Sequence, residues 1–181
     1  MPGISRLIVG TSGSPGSLQA LRYGESLARA YDVVLIPVIA WELPGGDRTH
    51  RIAGSHELAK ACQELACQQL QDAMCAVWGE VPDDPLVQPR TERGPAGWVL
   101  VSLASRPGDV LVVGAGRRGP LRRLVFSRVS RYCLVHAHCP VMAVPPPALA
   151  GELGHGWLAR VFWRRFLTPE RITGDHGRTP A

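Results

Sequence analysis

The chain has 181 residues, 45% hydrophobic and 19% charged, which is the balance of a globular protein with one well-formed core. A formal net charge of +5 is too small to argue for nucleic acid as a partner, and no run approaches the ~20 apolar residues of a membrane span. Of the 20 basic residues only Lys60 is lysine, and arginine forks suit phosphates and carboxylates. Residues 4–11, ISRLIVGT, read as a short buried strand ending in Gly and Thr. SGSPG follows as a turn, and residues 17–31 place Leu18, Leu21, Leu27 and Ala28 at helical spacing. Residues 33–41 are a second strand, and a polar loop with Gly and Pro leads to the longest helix, 56–78. Its apolar positions include Leu58, Cys62, Leu65, Leu70 and Met74. Residues 83–94 are a weaker, edge-like strand marked by Pro85 and Pro89. A short helix over 96–106 closes at Pro107-Gly108, and DVLVVGAG (109–116) is the clearest buried strand. A helix over 129–138 and a strand over 140–145 end the pattern.

Alternation of this kind predicts an α/β fold: a doubly wound, open five-stranded parallel sheet sandwiched by helices. One domain is expected over residues 3–146, followed by a linker and a basic aromatic tail over 147–181. Within the tail, WLARVFWRRFL (157–167) puts Leu158, Ala159, Phe162, Trp163 and Phe166 on one helical face. That face suits a membrane surface or a protein partner, or packing on the chain's own domain. The last residues, TPERITGDHGRTPA, have the composition of a disordered end.

Cys62, Cys67, Cys75, Cys133 and Cys139 form no CxxC pair, and the first three share one helix at spacings that make no metal site. They are expected to be buried or part-buried free thiols, which fits a reducing cytoplasm. The opening MPGISRLIVG lacks the pattern of a signal peptide. No metal is expected; His136 and His138 are two residues apart and face different ways on a helix. No nucleophile elbow or triad order is present, so an enzyme is not expected.

In an open parallel sheet, ligands bind beyond the carboxyl ends of the strands, where strand order reverses. Two loops qualify: VGTSGSPGS after the first strand, and the segment 112–130, VVGAGRRGPLRRLVFSRVS, after the fourth. Gly114, Gly116 and Gly119 spell GxGxxG, but no Asp or Glu occurs between Asp109 and Glu152 to hold a ribose. A nicotinamide site is therefore not expected. Arg117, Arg118, Arg122, Arg123 and Arg128 concentrate positive charge there.

LIVGTSGSPGSLQALRYGESLAR near the start and VVGAGRRGPLRRLVFSRVSRYCLVHAHCPVMAV near the end resemble the opening and closing segments of the universal stress protein family. The resemblance covers residues 4 to 145 and implies the adenine nucleotide alpha hydrolase-like sheet. It also implies a cytoplasmic stress-response regulator, often a homodimer paired through the last strand, and in many members an ATP site. ATP-binding members carry G-x2-G-x9-G-[S/T] in the late loop. On that pattern the first glycine is Gly114, the second falls on Arg117, the third on Ser127 and the Ser/Thr on Arg128, while Val129 and Ser130 agree. An aspartate usual in the early loop is Ser12, and Val38 matches a position whose backbone contacts adenine. The candidate nucleotide site comprises Gly10, Thr11, Ser12 and Val38, then Val113, Gly114, Gly116, Arg117, Arg118 and Gly119, then Ser127, Arg128, Val129 and Ser130. Side chains at 117 and 127 are expected to obstruct phosphate, and to strain the backbone wherever φ is positive. Two readings stay open: weakened binding of ATP or another anion, and a degenerate member that binds no nucleotide and acts as a dimeric interaction module, with the tail available for a protein partner.

Overall fold

The computed structural model describes residues 3–44, 55–118, 124–125 and 127–146. The expected tail helix, the linker from residue 147, Gly119 and the arginines at 122 and 123 lie outside them. Its elements are β1 (Arg6–Gly10), α1 (Pro15–Tyr31), β2 (Val34–Trp41), α2 (Ser55–Trp78), β3 (Arg90–Arg93), α3 (Ala96–Leu103), β4 (Asp109–Gly114), β5 (Arg117–Arg118), β6 (Leu124–Val125), α4 (Arg128–His136) and β7 (Val141–Val144). Five strands form one parallel sheet in the order β3-β2-β1-β4-β7. The order reverses between β1 and β4, because the chain winds outward from β1 in one direction and then from β4 in the other.

Period-two alternation divides the core. Leu7, Val9, Leu35, Ile39, Val110 and Val112 meet Ala20, Leu21 and Ala28 of α1 and Ala66, Leu70 and Met74 of α2. Ile8, Ile36, Val38, Leu111 and Val113 meet Val99 and Leu100 of α3 and Cys133 of α4. Each central strand is thus apolar on both sides, as a sheet covered on both faces requires. Gly24 of α1 faces Val9, where a Cβ would come within 2.7 Å of Val9 Cγ2; the helix sits close to the sheet because that position is bare.

Several expectations need correction. The continuous strand over 83–94 reduces to β3 and one bridge between Leu35 and Val87. Leu35 N donates to Leu86 O and Gln88 N to Leu35 O, so odd-numbered residues of β2 face this edge. Pro37 therefore turns its missing N–H toward it, beside Pro89, and the ladder breaks there. The helix expected over 96–106 stops at Leu103. Leu58 is 45% exposed rather than core, and Cys75 is exposed rather than part-buried; the buried stripe of α2 begins later, with Ala66, Leu70, Ala73 and Met74. Unforeseen was an antiparallel ribbon in which Arg117 pairs with Val125 and Arg118 with Leu124.

Candidate functional site

The carboxyl ends of β1 and β4 meet at the reversal of strand order. Their apolar runs carry the chain straight to the rim of the sheet, and both loops then turn over a positive-φ glycine, Gly13 at +70° and Gly116 at +91°. Gly114 ends β4 against the first turn of α1. A Cβ there would lie 2.7 Å from Gly16 C, 2.8 Å from Gly16 O and 3.0 Å from Ser17 N. Gly10 is closed as well, since a Cβ would meet Leu100 Cδ1 at 2.8 Å. These glycines let two backbones and a helix N-terminus converge.

Ser14 caps α1, accepting from Ser17 N at 3.3 Å, with proline in the first turn. Ser12 N donates to Ser17 Oγ (3.1 Å), Ser17 Oγ donates to Ser14 O (2.9 Å), and the Ser12 and Ser14 hydroxyls lie 3.1 Å apart. Ser12, where a carboxylate was expected from the resemblance, is thus absorbed in a three-serine network. Thr11 is buried; its N–H donates to Val38 O at 2.8 Å and its hydroxyl to Val9 O at 3.3 Å. Val38 carries a buried side chain, and its carbonyl keeps one lone pair beyond the bond to Thr11.

On the other side, Ser127 caps α4 by accepting from Ser130 N at 3.1 Å, and the two hydroxyls lie 2.7 Å apart. Ser130 Oγ donates to Gly114 O at 2.6 Å, tying the start of α4 to the end of β4. Arg128 and Val129 occupy the first two positions of α4, whose N–H groups have no acceptor inside a helix. Arg128 is exposed, whereas Val129 is part-buried against the α3–α4 core.

The strain expected from replacing glycine is absent. Ser127 has φ −64°, and Asp32 is the only non-glycine with positive φ among the described residues. Gly116, one residue before Arg117, takes the left-handed conformation instead. The structure therefore brings Gly10, Thr11 and Val38 together on one side, and Gly114, Ser127 and Ser130 on the other. Val113 belongs to the core through its side chain. Arg117 and Arg118 are placed in β5. The SGSPG string reads in sequence as a turn and helix start, but Ser14, Gly16 and Ser17 were not among the expected site residues.

Two thiols lie on the α4 side of the sheet, Cys133 within α4 and Cys139 before the amino end of β7. Burial is the main reason that the Cys133 thiol is pushed up to about 11, and burial also raises Cys139. Both stay protonated near neutral pH, which argues against nucleophilic use. His136 ends α4 with Nδ1 2.9 Å from Tyr132 O and its ring stacked on Tyr132 at 4.1 Å, while His138 follows the helix. No group of three His, Cys, Asp or Glu side chains able to hold a metal occurs among the described residues. None of their helices is long and apolar enough to cross a membrane.

The model of the universal stress protein family matches residues 3–145. No curated protein matches the sequence significantly. Among solved structures, the chain is similar to the universal stress protein UspA from Lactobacillus plantarum, at 18% identity and a TM-score of 0.54, covering 78% of this chain and 98% of that one. It is also similar to the hypothetical protein MJ0577, solved for structure-based assignment of its biochemical function. There the identity is 14% and the TM-score 0.60, over 79% of this chain and 96% of that one. At these identities the likeness concerns the fold.

Proposed function

The chain belongs to the universal stress protein family, and from that premise we propose that it is a non-catalytic regulatory protein whose β1 and β4 loops hold the polyphosphate of a nucleotide loosely. The observation that carries this reading is the retained frame: Gly114 is packed on the first turn of α1 and bonded through its carbonyl to Ser130. Backbone donors at the start of α4 face that rim, and helix N-termini favour anions. Arg128 adds a charge-assisted donor, and no acid between Asp109 and Glu152 opposes it. Ser12 offers only a hydroxyl already engaged with its neighbours, so selection for adenine is poor. Exposed charges are screened within about 8–10 Å, so binding weakens with salt. The reading extends to a cytoplasmic homodimer paired along β7, an apolar strand at the sheet edge among the described residues.

Calorimetric titration with ATP, GTP and tripolyphosphate tests the site. Comparable weak affinities for all three, reduced by Arg128→Ala, are the expected result. Changing Ser12→Asp, Arg117→Gly, Ser127→Gly and Arg128→Ser together should raise ATP affinity and introduce preference over GTP. Tight, adenine-selective binding by the unchanged protein contradicts the reading. A second reading has its own observation: the serine network satisfies itself without a ligand. A chain that binds none of the three and remains dimeric is an interaction module instead.

A further inference from the structure

α3 has eight residues and ends at Leu103, and the chain continues through Ser105 and Arg106 before it enters β4. A cleft of about 150 Å³ lies between this segment and the strands β1, β2 and β3, running from Arg6 at the start of β1 to Arg90, which is in register with Val38. Ile8 and Ile36 form its floor, while Ser102 and Ser105 line the α3 side. Three arginines from separate segments converge on it: Arg6 of β1, Arg90 of β3 and Arg106 beyond α3.

Their charges are not equivalent. Arg6 is committed to the buried carboxylate of Asp109, donating from Nε at 2.8 Å and from its terminal NH2 group at 2.6 Å. It also donates to Leu103 O at 3.3 Å, meeting the partial negative charge at the end of α3. Asp109 accepts a third bond from Arg106 N–H at 2.8 Å, which holds the loop carrying Arg106 against the cleft. Arg90 and Arg106 are exposed, and neither has an ion-pair partner among the described residues. Thr91 turns toward α2, where its hydroxyl lies 3.5 Å from Cys67 Sγ; Arg90 and Glu92 therefore share the α3 face. Glu92 does not line the cleft. Two guanidinium charges without an ion-pair partner among the described residues thus stand above Ser102 of α3, Ser105 and an apolar floor.

We propose that this cleft binds one tetrahedral oxyanion of the phosphate class, as the free ion or as the phosphate end of a small phosphomonoester. Arg90 and Arg106 supply charge-assisted donors from two directions, and the Ser102 and Ser105 hydroxyls complete the set. The volume suits one phosphate group; whole cofactors occupy sites of roughly 300–1,000 Å³. The locked Arg6–Asp109 pair fixes one wall and contributes no net charge. Because both free arginines are exposed, affinity is modest and falls as salt rises.

The test uses the full chain in low-salt buffer, with inorganic phosphate, glycerol phosphate and acetate as probes. Phosphate should shift the arginine Nε–H NMR signals of Arg90 and Arg106 in a saturable way. The Arg90→Ala/Arg106→Ala variant should lose about tenfold or more in affinity by calorimetry. Arg90→Lys/Arg106→Lys should fall between, keeping charge without the fork, and Arg128→Ala should leave these signals unmoved. Tighter binding of glycerol phosphate assigns the site to a phosphomonoester, and equal binding to the free ion. The proposal is overturned if phosphate moves neither arginine signal in the unchanged protein. It is likewise overturned if acetate competes equally, or if the folded double alanine variant binds as before.

Discussion

Gly114 and Gly16 pack against each other at the candidate site and answer to different constraints. At Gly114 the obstacle is backbone, which cannot swing aside, and overpacking of this kind costs about 1–3 kcal/mol. Gly114→Ala is therefore expected to lower the urea midpoint and to disturb ligand binding together. A Cβ on Gly16 meets only Gly116 O at 3.7 Å, and the residue lies in the first turn of a helix. Gly16→Ala should leave stability unchanged or raise it by about 0.4–1 kcal/mol. Urea denaturation of the two variants compares them directly. Cys133 gives a second prediction at this scale. Its thiol is raised from 9.0 to about 11 in the folded chain, so unfolding releases a proton above pH 9. Its contribution to stability is complete below that pH and declines as pH climbs from about 9 toward 11. Cys133→Ala should flatten the alkaline fall in melting temperature across this window. At pH 8 a thiol reagent should modify exposed Cys75 first and Cys133 last.

Among elements, β7 is the most informative, because its two sides can be told apart. Leu111 N donates to Pro140 O and Ala115 N to Val144 O. Alternation then turns the polar backbone groups of Pro140, Met142 and Val144 toward β4, and those of Val141 and Ala143 to the open edge. Met142 also packs on the α1–α2 core, so lysine at 142 would test folding as much as pairing. Ala143→Pro removes an outward donor and leaves the β4 ladder intact; proline is tolerated on edge strands. If β7 pairs with a second copy, this variant should run as a monomer in sedimentation at tens of micromolar while keeping its circular dichroism. A monomeric unchanged protein at the same concentration rules out the proposed pairing. β3 is the poorer candidate for such pairing, since its RTER sequence is charged and two prolines precede it.

For the whole molecule, every core residue identified on either face of the sheet lies before Pro145, and the family match ends there too. A chain ending at Ala148 should therefore unfold in one cooperative transition with a midpoint close to that of the full chain. Loss of solubility or of cooperativity on truncation would place the aromatic segment 157–167 in the core. The candidate nucleotide loops and the arginine cleft share no described lining side chain, although Arg90 is in register with Val38, and Arg106 lies at the far side of the cleft. Arg106→Ala should then leave ATP affinity unchanged in a calorimetric titration, because distant sites without shared partners add.

Sequence pattern alone carried the element order, the parallel sheet and the location of the two loops. Apolar strands of five to eight residues separated by helical periods have one packing solution with short right-handed crossovers. The start of α1 was legible in the SGSPG string, because capping is local chemistry, whereas Ser127 was matched to a lost glycine rather than to the cap it forms. What required the tertiary structure was every fact that depends on two distant segments meeting. Pro37 breaks the β3 ladder only because it faces Pro89. Arg117 needs no positive φ because Gly116 takes the left-handed turn just before it, and Ser127 sits unstrained as the N-cap of α4. Arg6, Arg90 and Arg106 are unremarkable along the chain, and they converge only when β1 and β3 pair on either side of β2 and the end of α3 lies over them. Local propensity and periodicity read one segment at a time, whereas register, close approach and convergence are properties of pairs of segments that folding alone brings together.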